Sequence, residues 1–162
     1  LHSSQKISEF ELVIAGDTDL DEKYVEEVEQ AVCELGIEKQ TSILGFVQSQ
    51  DLPALYAAAD VFVVPSIEEG FGMTAVEALA AGTLVAGTRV GALPKIITKN
   101  EFGRLSDAGD PEGLATAIDQ ILHEEIGKDY ISEAAKRQAM EYSWESIGNK
   151  CLQLYQDITN GR

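Results

Sequence analysis

The stretch from Val61 to Gly82, VFVVPSIEEGFGMTAVEALAAG, constrains the fold more than any other part of the chain. It opens on VFVVPS, a continuous β-branched run bounded by proline, the pattern of a strand buried on both faces of a parallel sheet. A loop carrying Gly70 and Gly72 follows, and then MTAVEALAAG, a helix of small residues closed by Gly82. Strand, glycine loop and helix in this order set the first free N–H groups of the helix, and the positive end of its dipole, at the carboxyl end of a strand. Such an opening is a seat for phosphate, and glycine lets a ligand approach the backbone closely.

The flanking sequence repeats the same alternation. ELVIAG (Glu11 to Gly16) reads as a short strand, and Tyr24, Val28, Ala31, Val32 and Leu35 then recur at helical spacing until Gly36. TSILG (Thr41 to Gly45) is a second strand, and Asp51 precedes a short helix with Leu52, Leu55, Tyr56 and Ala59. TLVAGT (Thr83 to Thr88) follows the small-residue helix as a strand. GALPKII (Gly91 to Ile97) reads as a short helix, GRLS (Gly103 to Ser106) as an edge strand, and Pro111 opens a further helix. Two more helices are expected, about Tyr130 to Glu141 and about Trp144 to Thr159, the last with Trp144, Ile147, Cys151, Leu154 and Ile158 along one seam. The expectation is an α/β chain, a doubly wound parallel sheet of Rossmann-like type, forming one domain over residues 1–162. Ligands of such sheets bind beyond the carboxyl ends of the strands, which points to the loops after Gly16, Gly45, Ser66 and Thr88.

Two carboxylates flank the small-residue helix. Glu69 lies just before it, and Glu77 lies about 8 Å along the axis from Gly72 at 1.5 Å rise per residue. The order suits an extended ligand with phosphate in its middle, Glu69 reaching one end and Glu77 gripping a ribose diol at the other. Ala75, Val76, Ala78, Leu79, Ala80 and Ala81 surround Glu77 in sequence, so the helix and this carboxylate are expected to be buried. A buried carboxylate needs a donor, either from a ligand or from a structural partner such as Arg89 or Lys95.

Charge and composition remove other classes of function. The net charge of -16 is the wrong sign for nucleic acid and opposes adhesion to an anionic membrane. Much of the acid, in Asp17 to Glu34, reads as a solvated helix face. No apolar run approaches the roughly 20 residues of a membrane span, and no basic-then-apolar leader precedes the first strand, so the expected compartment is the cytoplasm. A chain opening on Leu1 rather than Met is expected to be a fragment or a processed start. Cys33 and Cys151 are read as buried free thiols. With His2 and His123 the only histidines, no zinc centre or histidine-based triad is expected. Asp17-Thr18-Asp19 follows the first strand, where aspartate serves as a helix cap; the alternative, an acidic metal-binding triplet, has no supporting ligand cluster. A phosphate-accepting signalling domain would need an exposed aspartate at the end of a central strand, and VFVVPS ends without one.

The string PSIEEGFGMTAVEALAAGTLV resembles the signature of the group 1, or family 4, retaining glycosyltransferases of the GT-B fold, in which two glutamates are separated by seven residues. LVIAGD, SILGFVQSQDLPALYAAADVFVVPS and GALPKIITKNEFGRLS extend the resemblance over nearly the whole chain. It implies the carboxyl-terminal, donor-binding half of a two-domain enzyme that transfers a hexosyl-type group from a nucleoside-diphosphate sugar with retention. Glu69, as the catalytic-site residue, and the backbone of Gly70, Phe71 and Gly72 would hold the donor sugar. Amides near Met73 and Thr74 would face the diphosphate, Glu77 would bind the ribose, and Gly45, Phe46 and Val47 would meet the base. No metal and no cofactor are implied, because protein dipoles and cations stabilise the leaving diphosphate.

The resemblance also marks departures. The family's diphosphate-gripping Arg and Lys precede the LVIAG strand and have no match here, Lys6 being too close to that strand. The amino-terminal acceptor domain is absent, so the fragment alone is expected to be inactive. The last helix, in this architecture, braces that missing domain, and any membrane association would come from outside this domain. The family's second Gly and following Glu after the fourth strand are Ala92 and Lys95, which bears on the orientation of the loop after Thr88 and on donor choice. Two alternatives stand beside the transferase: a sugar-nucleotide epimerase of the same architecture, and a non-catalytic nucleotide-binding fragment.

Overall fold

Apolar residues at Leu12–Ala15 (β1) and Thr41–Gly45 (β2) form two parallel strands, joined through the helix Glu22–Leu35 (α1). Leu12 pairs with Thr41, and the register shifts between Ile14 and Ala15, so that Ala15 faces Gly45. Asp21 caps α1 by accepting the Tyr24 N–H at 3.1 Å, and Gly36 ends it in the left-handed region at φ 68°, where a side chain would be strained. This computed structural model describes residues 10–123 and 128–161, and the chain divides into two units, one ending at Leu52 and one beginning at Pro53. Among the described residues of the first unit none is buried.

The second unit carries the core. The short helix Leu52–Ala58 (α2) leads into it, and three strands follow: Phe62–Val64 (β3), Val85–Thr88 (β4) and Gly103–Ser106 (β5). They pair in the order β3-β4-β5, all parallel, with β4 buried along its length. The connections run through Met73–Ala81 (α3) and Leu93–Ile96 (α4), and the chain continues into Pro111–Leu122 (α5), Lys128–Met140 (α6) and Trp144–Thr159 (α7). Parallel pairing demands such crossovers, because a two-residue hairpin can join only antiparallel strands. Leu79 of α3, Val85 of β4, and Leu93 and Ile96 of α4 are wholly inaccessible to solvent. Burying each such side chain stabilises the fold by about 1.5–3 kcal/mol. The architecture is thus α/β with parallel sheets, as the strand–helix alternation predicts. Among the described residues no helix is long and apolar enough to cross a membrane.

Several expectations need correction. The TLVAGT strand begins at Val85 rather than Thr83, because the residues before it complete the end of α3. Gly82 turns left-handed at φ 90°, and the Thr83 N–H returns to the Ala78 carbonyl at 2.9 Å. Cys33 and Cys151 are both exposed rather than buried. Each sits on a helix, α1 or α7, that buries none of its residues. The α7 seam is accordingly open, with Trp144 93% exposed. Its apolar spacing specifies a helix without specifying what covers it. Lys6 and His2 lie outside the described residues.

Candidate functional site

The opening of α3 has the expected geometry. Gly72 caps the helix at φ 82°, and the N–H groups of Ala75 and Val76 return to its carbonyl at 3.1 and 3.3 Å. These are the first bonds of the helix, so the amides of Met73 and Thr74 precede the ladder and face outward from the helix end. A β-carbon on Gly72 would stand 2.9 Å from Leu93 Cδ2, in a backbone conformation that L residues rarely adopt. Only glycine lets the turn sit directly on α4. Phe71 stays partly exposed, its ring edge-on to Tyr142 at 5.8 Å between centroids.

Glu69 is half-buried and folded back on its own loop. Its carboxylate accepts the Gly70 N–H at 2.9 Å and the Ser66 hydroxyl at 3.4 Å. The Ser66 carbonyl in turn accepts the hydroxyl of Thr88, buried at the end of β4, at 2.6 Å. The loops after β3 and β4 are therefore joined by side chains, and also by direct backbone contact: a β-carbon on Gly91 would lie 2.0 Å from the Glu69 carbonyl oxygen. Gly91 holds φ 55°, while Ala92 after it holds φ -91° and ψ -3°, which any residue can adopt. Alanine in place of the family's second glycine thus leaves the loop unstrained. Lys95 is exposed near the end of α4, and its carbonyl accepts the Tyr142 hydroxyl at 2.9 Å.

The expectation that Glu77 is buried is wrong. Ala75, Val76, Ala78 and Leu79 are buried, but Glu77 falls on the exposed stripe of α3. The helix is apolar in composition without being enclosed all round. The structural partner is neither Arg89 nor Lys95: the Tyr56 hydroxyl donates to Glu77 Oε2 at 3.1 Å. Arg89 donates to the Leu105 carbonyl at 3.0 Å and faces Asp107 at 3.6 Å. Burial, the hydrogen bond to Glu77 and its negative charge push the Tyr56 phenol up to about 12. Because the folded value is raised above the ordinary 10.0, this stabilisation is complete below pH 10 and is lost as pH rises through about 12. The urea midpoint is therefore expected to fall more steeply across that window in the native chain than in Tyr56→Phe, as read by circular dichroism.

The remaining predicted residues lie in the first unit. Gly45 holds φ 68° at the end of β2 and its carbonyl accepts the Gly16 N–H at 3.0 Å; Phe46 is 65% exposed and Val47 half-exposed. Asp17 accepts the Asp19 N–H at 3.0 Å, so the acidic triplet closes a turn and capping falls to Asp21. In the second unit a shallow cavity of about 160 Å³ opens beside β5, with Arg89, Lys99, Asn100 and Arg104 in its lining. Lys99 there faces Glu101 at 3.3 Å. Sequence reasoning missed Tyr56, Thr83 and Thr88 as site-organising residues. By spacing Tyr56 is one more apolar position of a short helix, and spacing carries no signal for where its hydroxyl points.

Residues 2–138 match the family described as glycosyl transferases group 1. The chain is 35% identical over 131 residues to a D-inositol 3-phosphate glycosyltransferase of Corynebacterium urealyticum, covering 81% of the chain and 31% of that protein. It spans about a third of the length of the curated relatives it matches. Among solved structures, sucrose-phosphate synthase from Thermosynechococcus elongatus superposes with a TM-score of 0.82 at 28% identity, covering 96% of this chain and 40% of that one. Anabaena HepE in complex with UDP superposes with a TM-score of 0.78 at 25% identity, covering 93% and 41%.

Proposed function

The chain belongs to the group 1 glycosyl transferases, and from that premise we propose that it is the donor-binding part of a longer, retaining hexosyltransferase. The observation that carries the reading is the open first turn of α3, with Glu69 before it and Glu77 on its exposed face. A nucleoside diphosphate on the amides of Met73 and Thr74 would have its sugar toward Glu69 and its ribose toward Glu77.

Glycosyl transfer breaks the bond between the anomeric carbon and the diphosphate oxygen, and the diphosphate departs with the electron pair. The growing negative charge falls where oriented N–H groups and a helix dipole are already fixed, so they strengthen as the bond breaks without reorganising. In this reading the helix supplies that stabilisation without a metal or cofactor. Glu69, its oxygens already held by Ser66 and the Gly70 amide, is a rigid acceptor for sugar hydroxyls, and it orients the anomeric carbon toward an acceptor brought by another domain. The acceptor oxygen forms the new bond to the anomeric carbon, and its proton passes to the departing diphosphate oxygen.

UDP, seen bound in HepE, is the first nucleotide to test, followed by GDP and ADP. Replacing Glu77 by alanine in the full-length enzyme removes the ribose contact. With hydrogen bonds to a charged group worth about 1.5–3 kcal/mol, Kd is expected to rise roughly tenfold or more. Titration calorimetry reads it directly, and an unchanged Kd would remove Glu77 from the ribose site.

A further inference from the structure

The Tyr56–Glu77 pair joins a buried residue of α2 to an exposed one of α3, twenty-one positions apart. Tyr56 is itself fixed in three ways. Its carbonyl accepts the buried Thr83 hydroxyl at 2.6 Å, at the junction of α3 and β4. Its ring stands edge-on to Phe62 of β3, 5.0 Å between centroids and 89° between planes. Its side chain is enclosed, with the residue 7% exposed. A rigid phenol whose hydroxyl reaches a solvent-facing carboxylate has one geometric effect: it selects the rotamer of that carboxylate.

We propose that Tyr56 is a positioning residue that holds Glu77 in the orientation in which its carboxylate meets the ribose diol of the donor, with Thr83 anchoring Tyr56 in turn. The proposal rests on the assignment of Glu77 to the ribose. A glutamate on a helix surface samples several rotamers, and a ligand that needs one of them must freeze it on binding. Tyr56 imposes that order beforehand. An ionised carboxylate offers about four lone-pair sites, so one bond from Tyr56 to Oε2 leaves acceptor capacity for two vicinal hydroxyls. A purely structural strut between α2 and α3 would have the same bond length, so the test has to read the ribose rather than the fold.

Calorimetric titration of the full-length enzyme with UDP and with 2′,3′-dideoxy-UDP, which lacks the diol, separates the two. In the native enzyme the diol ligand binds more tightly, and Glu77→Ala abolishes that preference. Tyr56→Phe is expected to weaken UDP roughly five- to tenfold and to leave the dideoxy ligand unchanged. Equal weakening of both ligands, or of neither, overturns the positioning role. If Glu77→Ala leaves the preference intact, the ribose assignment itself has failed, and the two failures are thereby told apart. Thr83→Val provides a second variant that keeps both the phenol and the carboxylate. It is expected to give a smaller loss confined to UDP, and a loss shared by both ligands again overturns the proposal.

Discussion

Replacing Gly91 by alanine is expected to destabilise the second unit by at least about 2 kcal/mol, because a left-handed backbone alone costs a non-glycine residue about 1–3 kcal/mol. The new β-carbon also has no room. It would stand 2.0 Å from the Glu69 carbonyl oxygen, 2.8 Å from the Glu69 carbonyl carbon and 2.9 Å from the Gly70 carbonyl oxygen. All of these are backbone atoms, which cannot rotate aside as a side chain can. Relief requires one of the two loops to move, and the Thr88 hydroxyl bond to Ser66 resists that. Urea unfolding measured by circular dichroism gives the loss, and calorimetry of the folded fraction gives the accompanying weakening of nucleotide. Ala92→Gly is the matched control. Its native φ of -91° suits either residue, so a change within about 1 kcal/mol is expected from chain entropy alone. A Gly91→Ala variant as stable as its parent would show that the two loops do not touch.

The second large effect concerns turnover. On the proposed reading, Glu69→Ala in the full-length enzyme lowers kcat by about a hundredfold or more, the scale seen when a preorganised polar contact at a reacting centre is removed. Kd for UDP is expected to stay within about threefold, because the proposal gives the nucleotide to the amides of α3 and to Glu77 rather than to Glu69. The loop complicates the alanine variant, since the Gly70 N–H loses its acceptor. Glu69→Gln keeps an oxygen for that N–H, removes the charge and puts an amide NH2 where the second oxygen accepts the Ser66 hydroxyl. If Gln restores turnover, the role of Glu69 is to shape the loop; if Gln and Ala fall together, the charge itself acts on the sugar. Steady-state rates set beside calorimetry decide between these outcomes.

The legible parts of the fold were those fixed by local rules. β2, β5 and α7 fall on the residues that their periodicity and turn residues predict, and α3 begins at Met73 because Gly72 permits the turn that opens it. Glu69 and Glu77 stand out in the sequence as candidates because their spacing is part of a long string rather than of a lone glycine pair. The environment of Glu77 was not legible. Composition makes α3 apolar, yet burial depends on the faces that α6, α4 and the sheet cover, and those leave position 77 in solvent. The contact of Gly91 with Glu69 was equally hidden, since it joins two loops through backbone atoms and leaves no mark on side-chain pattern. Tyr56 shows the same limit: a helical apolar residue by spacing, and a hydrogen-bond donor only once α2 and α3 are placed. α7 shows the converse, because there the periodicity gives the helix its bounds while Cys151 on its seam, expected buried, is exposed.

The contrast between a second unit that carries a buried core and a first unit with no buried residue among those described has a thermal consequence. The heat-capacity increment of unfolding scales with the apolar surface newly brought into water. Residues 10–52, whose apolar side chains are at most half-buried, have less such surface to release, so the curvature of the stability curve with temperature is set mainly by the residues that follow Leu52. Sub-global opening of β1, α1 and β2 is correspondingly expected to carry a small heat-capacity increment, so that its enthalpy changes little with temperature.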